Sequence, residues 1–129
     1  MKKMLGTYQK VQAGTASPGQ RVLMVYNGIS KNLQLALDNF QSADPDRFMR
    51  ISTALTLAQR LILELQLALD MDKGGDIAKN LKSLYMFWRQ HLSDGNVKKD
   101  SKKVREVLQM VKELTESWIV AERKTRTGA

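Results

Sequence analysis

The sequence predicts an all-α fold: an antiparallel up-down-up-down four-helix bundle with a flexible N-terminal arm and a basic C-terminal tail. Three observations carry this. Four segments repeat apolar residues at alternating spacings of three and four, which is the period of one helix face. Each is bounded by residues that start or stop helices, and no run alternates with the period of two that a strand requires. The 129 residues, 43% hydrophobic and 26% charged, supply one core and little more.

Residues 1–16 show no sustained period and read as the arm. Ser17-Pro18 then announces the first helix, serine as cap and proline at a position whose N–H would be orphaned anyway. Val22, Tyr26, Ile29, Leu33, Ala36 and Phe40 form its stripe, which ends near Phe40. Asp44-Pro45 repeats the cap-then-proline signal, and Ile51, Leu55, Ala58, Ile62, Leu65 and Leu69 make the second seam. This helix is more apolar than one seam requires. Ala54, Leu57, Leu61 and Ala68 widen the stripe to roughly half the circumference at about 100° per residue, and Met49, Leu63, Leu67 and Met71 fall nearly opposite.

Lys73-Gly74-Gly75-Asp76 reads as a tight connection in which glycine supplies positive φ where the second helix ends. The third helix carries Ile77, Leu81, Leu84, Tyr85, Trp88 and Leu92 on one face, and Ser93-Asp94-Gly95-Asn96 is expected to stop it. A fourth begins near Asp100 or Ser101, with Val104, Val107, Leu108, Val111, Leu114 and Trp118 as its seam. The bundle is expected over 17–122, with residues 123–129 as a frayed basic tail.

The residues offer little chemistry. There is no cysteine, so disulfides and thiolate metal sites are excluded, and the single histidine, His91, permits no His–His metal pair. Asp70-Met71-Asp72-Lys73-Gly74-Gly75-Asp76 resembles a calcium loop only faintly: its glycine is early and no glutamate closes twelve residues. No inward Glu-x-x-His pair suggests a di-iron site, and Trp88, Trp118, Tyr26 and Tyr85 read as core, with hydroxyl and indole groups reaching outward. No catalytic residue and no cofactor is expected. The stretch from Ala54 to Met71 is interrupted by Arg60, Glu64 and Asp70, so no membrane insertion is expected.

Net charge is +8, which raises nucleic acid as a partner, but the cations are dispersed and none interleaves with aromatics as a base-stacking surface would. A solvated basic surface is the plainer reading. The surplus apolar surface of the second helix is either covered by the arm or a second copy, or is a groove for a partner's amphipathic helix.

Several stretches resemble the flagellar export chaperones of the FliS family. Tyr8, Thr15-Ala16-Ser17-Pro18, Leu23-Met24, Tyr26 and Gly28-Ile29 match its opening, and Ala58, Leu61-Ile62, Glu64-Leu65 and Leu69-Asp70 its second helix. Gly74-Gly75-Asp76-Ile77-Ala78-Lys79-Asn80-Leu81 with Leu84-Tyr85 is the most specific stretch, and Leu92, Asn96, Val107 and Trp118 follow. The resemblance implies a chaperone of the bacterial cytosol. It would bind the disordered C-terminal segment of flagellin, prevent premature polymerisation and assist delivery to the secretion apparatus. Export-gate and filament-cap proteins are candidate further partners. The competing reading is a basic helical module that binds nucleic acid or dimerises.

On this reading the partner groove falls on the outward part of the second helix and adjoining parts of the third: Ala54, Leu57, Leu61, Leu65 and Ala68 with Asn80, Leu81, Leu84 and Tyr85. Asn80 either bonds a partner's backbone or makes a cap or interhelix bond. Tyr8 and Val11 on the arm either act as a mobile lid on the groove or pack permanently on the bundle.

Overall fold

The structure, a computed structural model, describes residues 17–127. Four helices occupy almost all of it: α1 (Pro18–Phe40), α2 (Arg47–Leu67), α3 (Gly75–Lys98) and α4 (Ser101–Thr127). Packing runs α1 on α2, α2 on α3, α3 on α4 and α4 back on α1, with no close backbone approach across either diagonal. The helices therefore form a closed ring in which every neighbour is antiparallel, as the short connections require.

The start of α1 follows the expected chemistry in full. The Gln20 N–H donates to Ser17 Oγ at 3.2 Å, and the Ser17 N–H donates back to Gln20 Oε1 at 3.0 Å, a reciprocal capping box with Pro18 beside it. Ser17→Ala is expected to lower unfolding stability by about 1 kcal/mol, read by urea denaturation, because one first-turn donor loses its acceptor. The second start differs from expectation. Asp44 accepts the Asp46 N–H at 2.8 Å, so Asp44-Pro45-Asp46 forms a turn and α2 begins at Arg47.

Both glycines of the α2–α3 loop are needed, for different reasons. Gly75, at the start of α3 and not at the end of α2, carries the positive φ of 55°. A Cβ on Gly74 would lie 2.5 Å from Ala78 Cβ and 2.6 Å from the Asp70 carbonyl oxygen. The Asp70 carboxylate accepts the N–H groups of Asp72 and Lys73, which closes the turn that was distinguished from a calcium loop.

Ser93-Asp94-Gly95-Asn96 does not stop α3, which continues to Lys98. Gly95 is buried instead, and its missing side chain makes room for α4: a Cβ there would meet Lys103 Cβ and the Asp100 carbonyl at 3.3 Å. The helix ends at Lys99, left-handed at φ 51°, with Asp100 N–H donating to the Gly95 carbonyl and Lys99 N–H to that of Asn96. The Lys99 ammonium donates to Ser52 Oγ and Asn96 Oδ1, tying this turn to the start of α2, and partial burial lowers its pKa below the usual lysine value.

The region from Arg123 read as a frayed tail belongs to α4, which runs to Thr127. Long-range ties anchor the preceding turns. The Trp118 indole N–H donates to the Gly19 carbonyl at 3.0 Å, and Ser17 Oγ donates to Glu122 Oε1 at 3.1 Å.

The core is built from the expected seams, including Ile29, Leu33, Leu55, Ile62, Leu92, Val104 and Val111, all fully buried. Tyr26, Tyr85 and Trp88 correct one expectation, since their hydroxyl and indole groups do not reach outward. Tyr26 of α1 and Tyr85 of α3 meet across the diagonal, hydroxyl to hydroxyl at 2.7 Å. Burial pushes both phenol pKa values upward; the hydrogen bond from Tyr85 adds to the rise at Tyr26, and the same bond partly opposes it at Tyr85. Trp88 is wholly buried, and its indole N–H has no hydrogen-bond partner among the described residues. Ile77, expected on the core face, is 74% exposed at the first turn of α3, where Ala78 is buried instead.

Candidate functional site

The four seams of the ring differ in what joins them. The α2–α3 seam is polar along its outer edge: Ser52 donates to Asn96 at 3.0 Å, Gln59 to the Arg89 carbonyl at 3.1 Å, and Arg89 to Gln66 Oε1 at 3.2 Å. These bonds line the edge that α2 and α3 share. The α1–α2 and α3–α4 seams, on opposite sides of the ring, are flanked by apolar side chains, and Met49 and Leu67 are exposed on α2 as well.

On α2, Ala54 and Leu65 are buried core residues, 1% and 7% exposed, and belong to the bundle itself. Leu61 is half-buried and faces α1, where a Cβ on Gly28 would lie 3.2 Å from its Cδ1. Leu57, one turn earlier, is also half-buried. Leu35 lies seven residues beyond Gly28, hence on the same face of α1, and is 48% exposed. Ala68 is exposed just past the end of α2.

On α3, Tyr85 is 2% exposed and engaged with Tyr26, so it is core. Leu81 and Leu84 are half-buried against the core. Leu84 shares a face with His91, seven residues on, and His91 Nε2 pairs with Glu106 of α4 at 2.8 Å. Leu84 therefore lies on the α4 side of α3, away from α2. Phe87 stacks on His91 at 4.9 Å and is 46% exposed. Met110 and Leu114 of α4 are half-buried on the flank that faces them, one and two turns beyond Glu106. Asn80 is exposed and makes no side-chain hydrogen bond among the described residues, so it does not supply an interhelix bond. Tyr8 and Val11 lie outside the described residues.

Of the residues expected to share one groove, Leu57 and Leu61 lie on the α1 side of α2 and Leu84 on the α4 side of α3. One apolar strip joins Leu35, Leu57 and Leu61 beside Gly28; the other joins Leu84, Phe87, Met110 and Leu114. Three strip residues were missed in the sequence reading, Leu35, Phe87 and Met110, and the first two are the most exposed members. Phe87 could have been found from the three-then-four spacing of Leu84, Phe87 and His91, which marks one helical flank. Leu35 carries no such signal, because it lies off the stripe of α1.

Among the described residues no group of three or more His, Asp or Glu side chains could hold a metal ion, and no helix is long and apolar enough to cross a membrane. The two strips expose aliphatic, aromatic and methionine side chains, the composition that suits an amphipathic partner.

The chain is 31% identical over 125 residues to the flagellar secretion chaperone FliS of Bacillus subtilis, covering 95% of this chain and 90% of that one. It is 32% identical to the protein of the same name from Vibrio cholerae, covering 92% and 88%, and 32% identical to that of Campylobacter jejuni, covering 86% and 84%. The family described as flagellar protein FliS matches residues 1–125. With that match covering all but the last two described residues, the chain belongs to the FliS family of flagellar secretion chaperones.

Proposed function

We propose that this chaperone binds the disordered C-terminal segment of flagellin in the bacterial cytosol, prevents its premature polymerisation and assists its delivery to the secretion apparatus. The observation that carries this reading is the placement of two apolar strips on opposite sides of one bundle. A globular client would reach one strip; a segment touching both must pass around the helices, as only an extended chain can. Ordering such a segment costs about 1–2 kcal/mol per residue in backbone entropy, so a large apolar contact is required to offset it. Leucine, phenylalanine and methionine supply that contact without demanding a fixed polar register.

Calorimetric titration with a flagellin C-terminal segment from the same source tests the proposal. Binding should show a negative heat-capacity change and little dependence on salt. Leu35→Asp with Leu57→Asp, and separately Phe87→Asp, should each weaken it by about tenfold or more, roughly 1.4 kcal/mol. All three residues are substantially exposed or only half-buried, so the bundle should remain folded. Wild-type affinity in both folded variants would overturn the assignment to the strips, and no binding by the wild-type protein would overturn the client.

A further inference from the structure

The fourth seam, between α1 and α4, is tied at one end by the bonds from Trp118 to Gly19 and from Ser17 to Glu122. It opens into a hollow of about 520 Å³ toward the end of α1 and the start of α4. Leu37, Phe40 and Leu108 form an apolar floor, while Arg105 and Lys112 stand at the rim with Gln34, Gln41 and Gln109. Leu108 is buried, and Leu37 and Phe40 pack on the core, so the floor belongs to a rigid part of the bundle.

Two features give the hollow a sign. Arg105 bonds Ser101 Oγ at 3.2 Å, and neither it nor Lys112 is ion-paired among the described residues. The one carboxylate in the lining, Asp38, accepts from Gln34 Nε2 at 3.0 Å. Two cations against one carboxylate leave the lining with a net positive charge, and its neutral polar groups are the Ser101 hydroxyl and three side-chain amides, which can both donate to and accept from a peptide backbone.

We infer that the α1–α4 hollow is a docking site for an acidic, leucine-bearing peptide segment of a partner protein, separate from the two apolar strips. Carboxylates of the segment pair with Arg105 and Lys112, its apolar side chains cover Leu37, Phe40 and Leu108, and the glutamines bond its backbone. The lining favours this over a nucleic acid: Phe40 is its one aromatic ring and lies half-buried in the floor, so no row of exposed rings offers successive bases a stacking platform. Separation from the strips leaves room for such a partner while a client occupies the other seams.

The test is amide chemical-shift titration of the isotope-labelled protein with a short peptide alternating Glu and Leu. Its Gln-for-Glu counterpart and a single-stranded oligothymidine serve as comparison probes. The acidic peptide should shift amides within 34–41 and 101–112 and lose affinity as salt rises. Arg105→Glu and Lys112→Glu should each weaken it about tenfold. Lys82→Glu, the same charge change at an exposed position on α3, should not, and flagellin-segment binding should be unchanged in all three. Equal binding of the Gln peptide, an equal loss in Lys82→Glu, or shifts elsewhere on the bundle would overturn the inference. So would tighter binding of the oligonucleotide, which would transfer the surface to nucleic acid.

Discussion

Trp88→Ala is expected to lower the stability of the bundle by about 3–5 kcal/mol, the range for emptying a large aromatic site in a closed core. Trp88 is the largest of the fully buried side chains, and its ring lies 5.5 Å from that of Tyr85. Small domains hold about 5–15 kcal/mol in all, so this single change removes a large share. Urea denaturation followed by circular dichroism measures it. Trp88→Phe should lose less, because it deletes the orphaned indole donor along with the volume, and a buried unpaired donor itself costs about 1–3 kcal/mol. Near-equal losses for the two would mean that the donor is satisfied in solution. A loss below about 1 kcal/mol for the alanine variant would mean that the core around this position closes up freely.

The second large effect concerns the tyrosine pair. Tyr85→Phe leaves the Tyr26 hydroxyl buried without its partner, and Tyr26→Phe does the same to Tyr85; each should cost about 1–3 kcal/mol. The double variant should lose less than the sum, with a coupling of order 1–2 kcal/mol, because it leaves no orphaned group behind. Alkaline titration gives an independent reading. Both phenols titrate higher in the folded protein than the unfolded value of about 10. Above that pH the unfolded chain has released protons that the folded state still holds. Stability present below pH about 10 is therefore lost as pH rises, at roughly 1.4 kcal/mol per pH unit for each tyrosine until the folded form also ionises. The double phenylalanine variant should show a shallower alkaline decline, and an unchanged slope would place the hydroxyls in contact with water.

What could be read from the sequence depended on whether a residue has one structural use or several. Ser17-Pro18 has one, and α1 starts there. The seams of α1, α2 and α4 likewise follow from spacing alone, since 3.6-residue periodicity leaves one face to bury. Gly95 has two uses, turn former or point of close approach, and only the presence of α4 beside it decides for the second. The last turns of α4 are stabilised through Trp118 to Gly19 and Glu122 to Ser17, partners about a hundred positions away that no local window contains.

The site divides in the same way. Surplus apolar residues on α2 were countable in the sequence, but the neighbour each one faces was not. Leu61 turns toward α1 because Gly28 makes room for it, while the α3 flank of α2 is taken by Ser52, Gln59 and Gln66. Leu84 turns toward α4 because His91, on its own face, finds Glu106 there. Azimuth around a ring of helices is a property of pairs of helices, and a stripe on one helix does not specify it.

The closed ring has a consequence for how the chain is threaded. Three of its seams are hairpins, whose helices meet after short loops and at small entropic cost; the α1–α4 seam joins the two ends of the described bundle and must be closed across all that lies between. No connecting loop holds it. The interlock of Ser17 and Gly19 with Trp118 and Glu122 takes a linker's place. A covalent link across that seam, with the backbone opened at Gly74-Gly75, would keep every helix neighbour. The order of the helices in the sequence is one way among four of cutting the same circle.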